Sequence, residues 1–284
     1  MPILMTLGVA VLSIFKTIEP TGDALALSGP PITHELLDQV LSEYVDDAGR
    51  VDYRGLREDD PDRLAAYYDL IATYSPDSHP QLFPGMEERL AYWINAYNAA
   101  TLAAVLSEYP IASVSEVKPP RLLFFAPDKS GFFYFRKLLF GGESYNLYNL
   151  ENEVIRGRFT EPRIHFAINC ASNGCPRLPR YAFTADQLEY QLEAETRKFI
   201  NEPRNLRIDH EQKILHLSSI LTWYEEDYLA WYREKYPEQN ANLANYLKLY
   251  ADQSRIAELD RAIEYEIQAI PYDWGLNDRA LTAP

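Results

Sequence analysis

Two cysteines, a histidine and a turn lie together between Arg163 and Pro176, in the order R-I-H-F-A-I-N-C-A-S-N-G-C-P. Cys170 and Cys175 are the chain's 2 cysteines. A thiol becomes a nucleophile when a neighbouring base takes its proton, so Cys170 served by His165 is the first chemistry these residue types allow. Glu151, a short way upstream, is a second candidate for base or orienter, and His210 and His216 are imidazoles that the fold could bring in. The side-chain amide of Asn98, or the backbone N–H groups of the turn after Cys170, would receive an oxyanion. Together they suit a thiol-dependent hydrolase or acyl transferase. The competing reading is a non-catalytic, exported binding or scaffold domain, with Cys170 inert or tied to Cys175 in a structural disulfide.

Spacing limits both readings. Ile164, Phe166 and Ile168 alternate with His165, Ala167 and Asn169, the period of a strand, and Asn173-Gly174 followed by Pro176 predicts a turn at its end. On a strand, positions 165 and 170 face opposite sides and stand about 16 Å apart. Cys170 then needs the chain to bend back after Asn169, or a base other than His165. A zinc site from His165, Cys170 and Cys175 meets the same objection and lacks a fourth ligand. C-x-x-x-x-C is not the two-residue spacing of a thioredoxin-type couple. The sequence has no G-x-S-x-G elbow, phosphate loop, H-E-x-x-H or dinucleotide fingerprint, so neither a metal nor a cofactor is expected.

The elements that must position this stretch are mainly helical. Thr33 as a cap predicts a helix to about Val45, and Asp60-Pro61 opens another to about Tyr74. The longest runs from about Met86 to Tyr109 and is stopped by Pro110. Leu90, Trp93, Ile94, Tyr97, Thr101 and Val105 share one of its faces and alanines fill much of the rest, so it is expected to be buried on most sides. Asn95 and Asn98 fall inside its apolar arc. A buried amide without partners costs about 1–3 kcal/mol, so each must tie the helix to loop backbone or, less commonly, serve a catalytic group.

Farther along, residues 132–147 read as a hairpin about Gly141-Gly142, and Asn149 caps a short helix from Leu150 to Arg156 that carries Glu151. Thr184 to Gln187 is a capping box for a helix to about Ile200. Residues 206–217 form a second hairpin, three helical patterns follow, and Ile267 to Ile270 is a last strand. Helices and hairpins without regular alternation predict an α+β single domain, its long buried central helix packed on a small, mainly antiparallel sheet.

Lys and Arg number 27 against 42 Asp and Glu, a formal charge of −15, and no basic run interrupts this surface. Such a field repels phosphate backbones, so nucleic acid is not the expected partner; an unknown small molecule or a peptide is. Ile3 to Phe15 is apolar but shorter than the roughly 20 residues of a membrane span. It fits the core of a signal peptide ending at Ala24-Leu25-Ala26, although no Lys or Arg precedes it. The expected organisation is a leader at 1–26, a linker at 27–33, one domain at 34–277 and a tail at 278–284. The expected location is periplasmic or extracellular, with no stable membrane span in the mature chain, against a cytoplasmic alternative. Location and thiol state are linked, because an exported pair can close into a disulfide.

V-D-Y at 51–53, A-Y-W-I-N-A-Y-N-A-A-T-L at 91–102, L-E-N-E-V-I-R-G-R-F at 150–159, the 163–176 stretch, W-Y-E-E-D-Y at 223–228 and P-Y-D-W at 271–274 carry a resemblance. The chain resembles the domain of unknown function 547 family over about residues 34–277. The resemblance implies that Asn95, Asn98, Glu151, His165, Cys170, Ser172 and Cys175 hold the family's recurring polar positions; it implies no reaction. Where many relatives have Glu-His, this chain has Glu151-Asn152. If that histidine is the general base elsewhere, this chain is expected to be impaired or to use His165 instead.

Overall fold

Helix α4, Met86–Leu106, is the core around which the rest assembles, and 15 of its residues are buried. Glu87 and Glu88 in its first turn complement the helix dipole, and alanines let neighbours approach on several sides. In the computed structural model, which describes residues 16–21, 32–120, 123, 126–127 and 129–281, this helix is wrapped by α1 (Glu35–Tyr44), α2 (Tyr53–Asp59) and α3 (Pro61–Thr73). Asp52 caps helix α2 by accepting from the Gly55 N–H at 2.8 Å.

Two small mixed sheets flank the helices, where a single mainly antiparallel one was expected. In the first, β2 (Arg136–Phe140) pairs antiparallel with β3 (Glu143–Tyr145) and parallel with the two-residue β1 (Lys16–Thr17). In the second, β4 (Leu206–Asp209) and β5 (Ile214–Ser218) form the expected hairpin. Strand β6 (Glu266–Ile270) adds to β5 in parallel. Between the sheets run α5 (147–158) and α6 (Leu188–Asn201), and after β5 come α7 (Ser219–Trp223), α8 (Glu225–Lys235), α9 (Leu243–Lys248) and α10 (Gln253–Arg261). The buried apolar residues form two clusters, one around α4 and one around Phe166, Phe199, Tyr228 and Tyr246. Among the described residues no helix is long and apolar enough to cross a membrane.

The strand expected through Arg163 to Ile168 does not form. Pro162–Phe166 is instead a 3-10 helix, capped by Glu161, whose side chain accepts from the Arg163 N–H. The Arg163 guanidinium returns to the same carboxylate with bonds of 2.8 and 2.7 Å, which curls the chain locally. Residues 162 to 169 are all buried. Alternation there reflected burial on every side, and a short apolar run has no period that separates strand from helix.

Most of the expected leader lies outside the described residues. Its described part, 16–21, is packed: the backbone N–H of Thr21 donates to Asp69 Oδ1 at 2.7 Å and its hydroxyl donates to Oδ2. Asp69 is 1% exposed, and among the described residues Thr21 donates to both of its carboxylate oxygens. A chain beginning at Leu27 would lose both of these bonds and the cover of the segment, at a cost of about 2 kcal/mol. Thermal unfolding of the full and shortened chains checks this; equal midpoints would mean that the 16–21 segment contributes nothing.

Candidate functional site

At the seam of the two apolar clusters opens a cleft of about 340 Å³. Helix α4 lends it Tyr97, α5 lends Glu151 and Asn152, and the 3-10 turn lends His165. The next turn brings Cys170 and Cys175; α7 and the residue after it bring Trp223 and Tyr224. Tyr272 and Trp274 come from the segment after β6. Glu151, His165, Cys170 and Cys175, expected on separate grounds, thus share one hollow. The parity objection to His165 and Cys170 disappears with the strand that motivated it.

The turn is built by buried amides. Asn98 donates to the Ala167 carbonyl at 3.0 Å and accepts from the Asn169 N–H at 2.8 Å, bridging the chain as it leaves the 3-10 helix. Asn169 in turn accepts from the Ala171 N–H at 2.8 Å and donates to the Pro176 carbonyl at 2.7 Å, spanning the loop. These bonds hold Ala171 at φ 61°, the left-handed conformation that bends the chain back after Asn169. A non-glycine residue adopts it at a cost of about 1–2 kcal/mol. The loop then seats on the C-terminal segment: Asn173 N–H donates to the Gly275 carbonyl and Gly174 N–H to that of Asp273, both at 2.8 Å. A Cβ on Gly174 would lie 2.9 Å from the Asp273 nitrogen and the Tyr272 ring, so the docking needs glycine.

Asn95 has the same structural use as Asn98, donating to and accepting from the backbone of Phe183 at 2.7 and 2.9 Å. Neither amide lines the cleft. Ser172 is buried beneath the loop, in a bridge to Leu276. The turn amides expected as oxyanion donors are largely committed: the N–H groups of 171, 173, 174 and 175 bond oxygen acceptors, and that of Cys170 donates to Cys175 Sγ at 3.0 Å.

The two sulfurs are joined as a Cys170–Cys175 disulfide. The Tyr272 hydroxyl stands 2.9 Å from Cys170 Sγ and 3.0 Å from Cys175 Sγ. Burial pushes its phenol well above the usual tyrosine value, so it remains a donor at any physiological pH. In this oxidised state neither sulfur hydrogen-bonds His165 or Glu151.

His165 lies on the face of Tyr224, ring centroids 3.9 Å apart, and its Nε2 is 2.8 Å from Asp227 Oδ2. Among the described residues its buried Nδ1 has no partner. Burial lowers the imidazole's pKa, and the opposing pull of Asp227 only partly restores it, so the ring is neutral near pH 7. With the proton on the nitrogen facing Asp227, Nδ1 carries an uncommitted lone pair. Burial alone would raise the Asp227 carboxyl. Hydrogen bonds from His165 and Arg156 outweigh it and hold Asp227 well below the usual carboxylate range. Arg156 grips Asp227 at 2.7 and 3.0 Å and also donates to Asn152, the residue at the departing Glu-His position. Glu151 accepts from the hydroxyls of Tyr97, at 3.3 Å, and Tyr224.

A family model described as "Protein of unknown function, DUF547" matches residues 83–200. Over these residues the chain is similar to this family. The DUF547 match takes in α4, α5, the 3-10 turn, both cysteines and α6, while Tyr224, Asp227 and Tyr272 fall outside it. No curated protein and no solved structure gives a match. Sequence reasoning missed Asp227 and Tyr272 as partners of the site. Both sit in the W-Y-E-E-D-Y and P-Y-D-W blocks, whose dense aromatic and acidic residues were the available signal. His210 and His216 lie on the far hairpin and take no part in the cleft.

Proposed function

We propose that the cleft is a thiol-dependent acyl-transfer site, of a hydrolase or transferase, which is stored as the Cys170–Cys175 disulfide and armed by thiol–disulfide exchange with an external dithiol, which leaves as its own disulfide. The observation that carries this reading is the neutral His165, steered by Asp227 and sharing the cleft with Cys170. Nucleophile, base and orienter are the parts that covalent catalysis by a thiol requires. Once Cys170 is a free thiol, His165 takes its proton and the sulfur adds to an acyl carbon; the imidazolium then returns the proton to the alcohol or amine that leaves, and water or a second nucleophile cleaves the thioester and frees the thiol. Tyr272, within hydrogen-bond distance of Cys170 Sγ, replaces the turn amides and Asn98 as donor to the oxyanion. Glu151, held by two phenols, faces the substrate instead of the thiol.

The disulfide itself favours a second reading, a binding domain in an oxidising compartment, as the expected export would provide. Alkylation separates the two. After mild reduction, Cys170 is expected to react with iodoacetamide at pH 7 at least about tenfold faster than a free peptide thiol, because its thiolate is fed by a base. A rate equal to the peptide's would remove the enzyme and leave the binding domain. Mass spectrometry of protein from its native compartment then shows which state is present.

A further inference from the structure

We infer that the mouth of this cleft is a recognition site for an organic cation, so that the substrate carries an alkylammonium group. The word substrate rests on the acyl-transfer reading; the word cation rests on the geometry alone. An ammonium already lies against the rings. Lys129 Nζ is 4.0 Å from the centroid of Trp274 and 5.9 Å from that of Trp223, inside the range where a ring's negative face attracts positive charge. The rings are packed into a wall by one another: Tyr272 is 4.4 Å and Trp223 6.1 Å from Trp274, centroid to centroid. Trp223 is nonetheless 52% exposed, a large indole left open at the rim of a binding hollow.

The second observation is independent. Glu151, half-buried in the same cleft, is held by two tyrosine hydroxyls and forms no ion pair among the described residues. Arg156, whose charge interacts with that of Glu151, forms its ion pair with Asp227 instead and lies across the Tyr224 ring at 4.8 Å. A carboxylate flanked by phenols and indoles is the chemistry that selects alkylammonium ions over neutral groups of the same shape. A cleft of about 340 Å³ takes a group of that size. The chain's charge of −15 draws cations toward it. Lys129 then acts as an internal occupant of the indole wall, which an entering cation displaces.

The test is a tryptophan-fluorescence titration of the oxidised, full-length protein with choline and with its uncharged isostere 3,3-dimethylbutan-1-ol. Choline is expected to saturate the signal with a Kd at least about fivefold lower than the isostere's. Glu151→Gln should weaken choline by about fivefold or more and leave the isostere unchanged. Lys129→Met should tighten choline by about threefold. Equal binding of the charged and uncharged probes by the native protein overturns the inference, and so does an unchanged choline Kd in folded Glu151→Gln. Because the oxidised protein has no free thiol, failure here leaves the acyl-transfer reading standing, and an unreactive Cys170 leaves the cation site standing.

Discussion

Asn98→Ala should lower the stability of the protein by about 3–4 kcal/mol, the largest effect expected of any single change near the cleft. The substitution strips partners from two backbone groups at once, the Ala167 carbonyl and the Asn169 N–H, in a place where Asn98 is 2% exposed and water has no access. Each unsatisfied buried group costs about 1–3 kcal/mol, and the small void left by the amide adds to that. Asn98→Asp should be no better, since it restores the acceptor while burying a charge that no cation meets. Urea unfolding checks the number: the midpoint should fall with an unchanged slope. A loss below about 1 kcal/mol would show that the turn is held by its docking on the 273–275 segment instead. In folded Asn98→Ala protein the Asn169–Ala171 bend loosens, so reduced Cys170 should also lose its rate advantage in alkylation.

Burial and hydrogen-bonding needs were legible in the sequence wherever the pattern was long. The period of α4 ran through 21 residues, which fixed its apolar faces and placed Asn95 and Asn98 among them. Both amides then took the structural role, each bonded to the backbone of one loop. The hairpin at 206–218 and the strand at 266–270 were legible too, although nothing local said that β6 would run parallel to β5. The failure came at the centre. Six alternating residues pointed to a strand, but burial was complete on both sides, and the local Glu161–Arg163 pairing decided for a 3-10 turn. Short segments are settled by such contacts, which spacing does not reveal.

The site divides along the same line. Glu151, His165 and the cysteines were identified by residue type, and the fold brought them into one cleft. Their partners could not be read, because Asp227 is 62 residues from His165 and Tyr272 is 102 from Cys170. Sequence states which groups have chemistry; only tertiary structure states what orients them. The oxyanion donors show the cost of omitting it. Turn amides that looked available were already used to build the turn, and a phenol from the far end of the chain stands at the sulfur instead.

On the acyl-transfer proposal, Asp227→Asn should slow acylation of reduced Cys170 by about 100-fold, the size of effect that positioned acid–base groups produce. An amide keeps only one of the two acceptor oxygens, so it cannot hold His165 and both nitrogens of Arg156 together. The pH profile makes the assignment specific. Burial sets the His165 pKa below 6.5, so the ring is a competent base across neutral pH and the rate should fall only as pH drops through that lowered value. Asp227 is among the groups that pull the imidazole back up. Removing its charge therefore lowers the pKa further, and the acid limb should move to lower pH while the plateau drops. Stability obeys the same sign: a histidine depressed in the folded state contributes stability above its unfolded pKa, and that contribution is lost as pH falls toward the folded value. An Asp227 that merely tied α8 to α5 would lower the melting temperature and leave the limb where it was. Single-turnover acylation measured between pH 4.5 and 8 in wild type and Asp227→Asn distinguishes these outcomes, and a limb that stays fixed would remove His165 as the base.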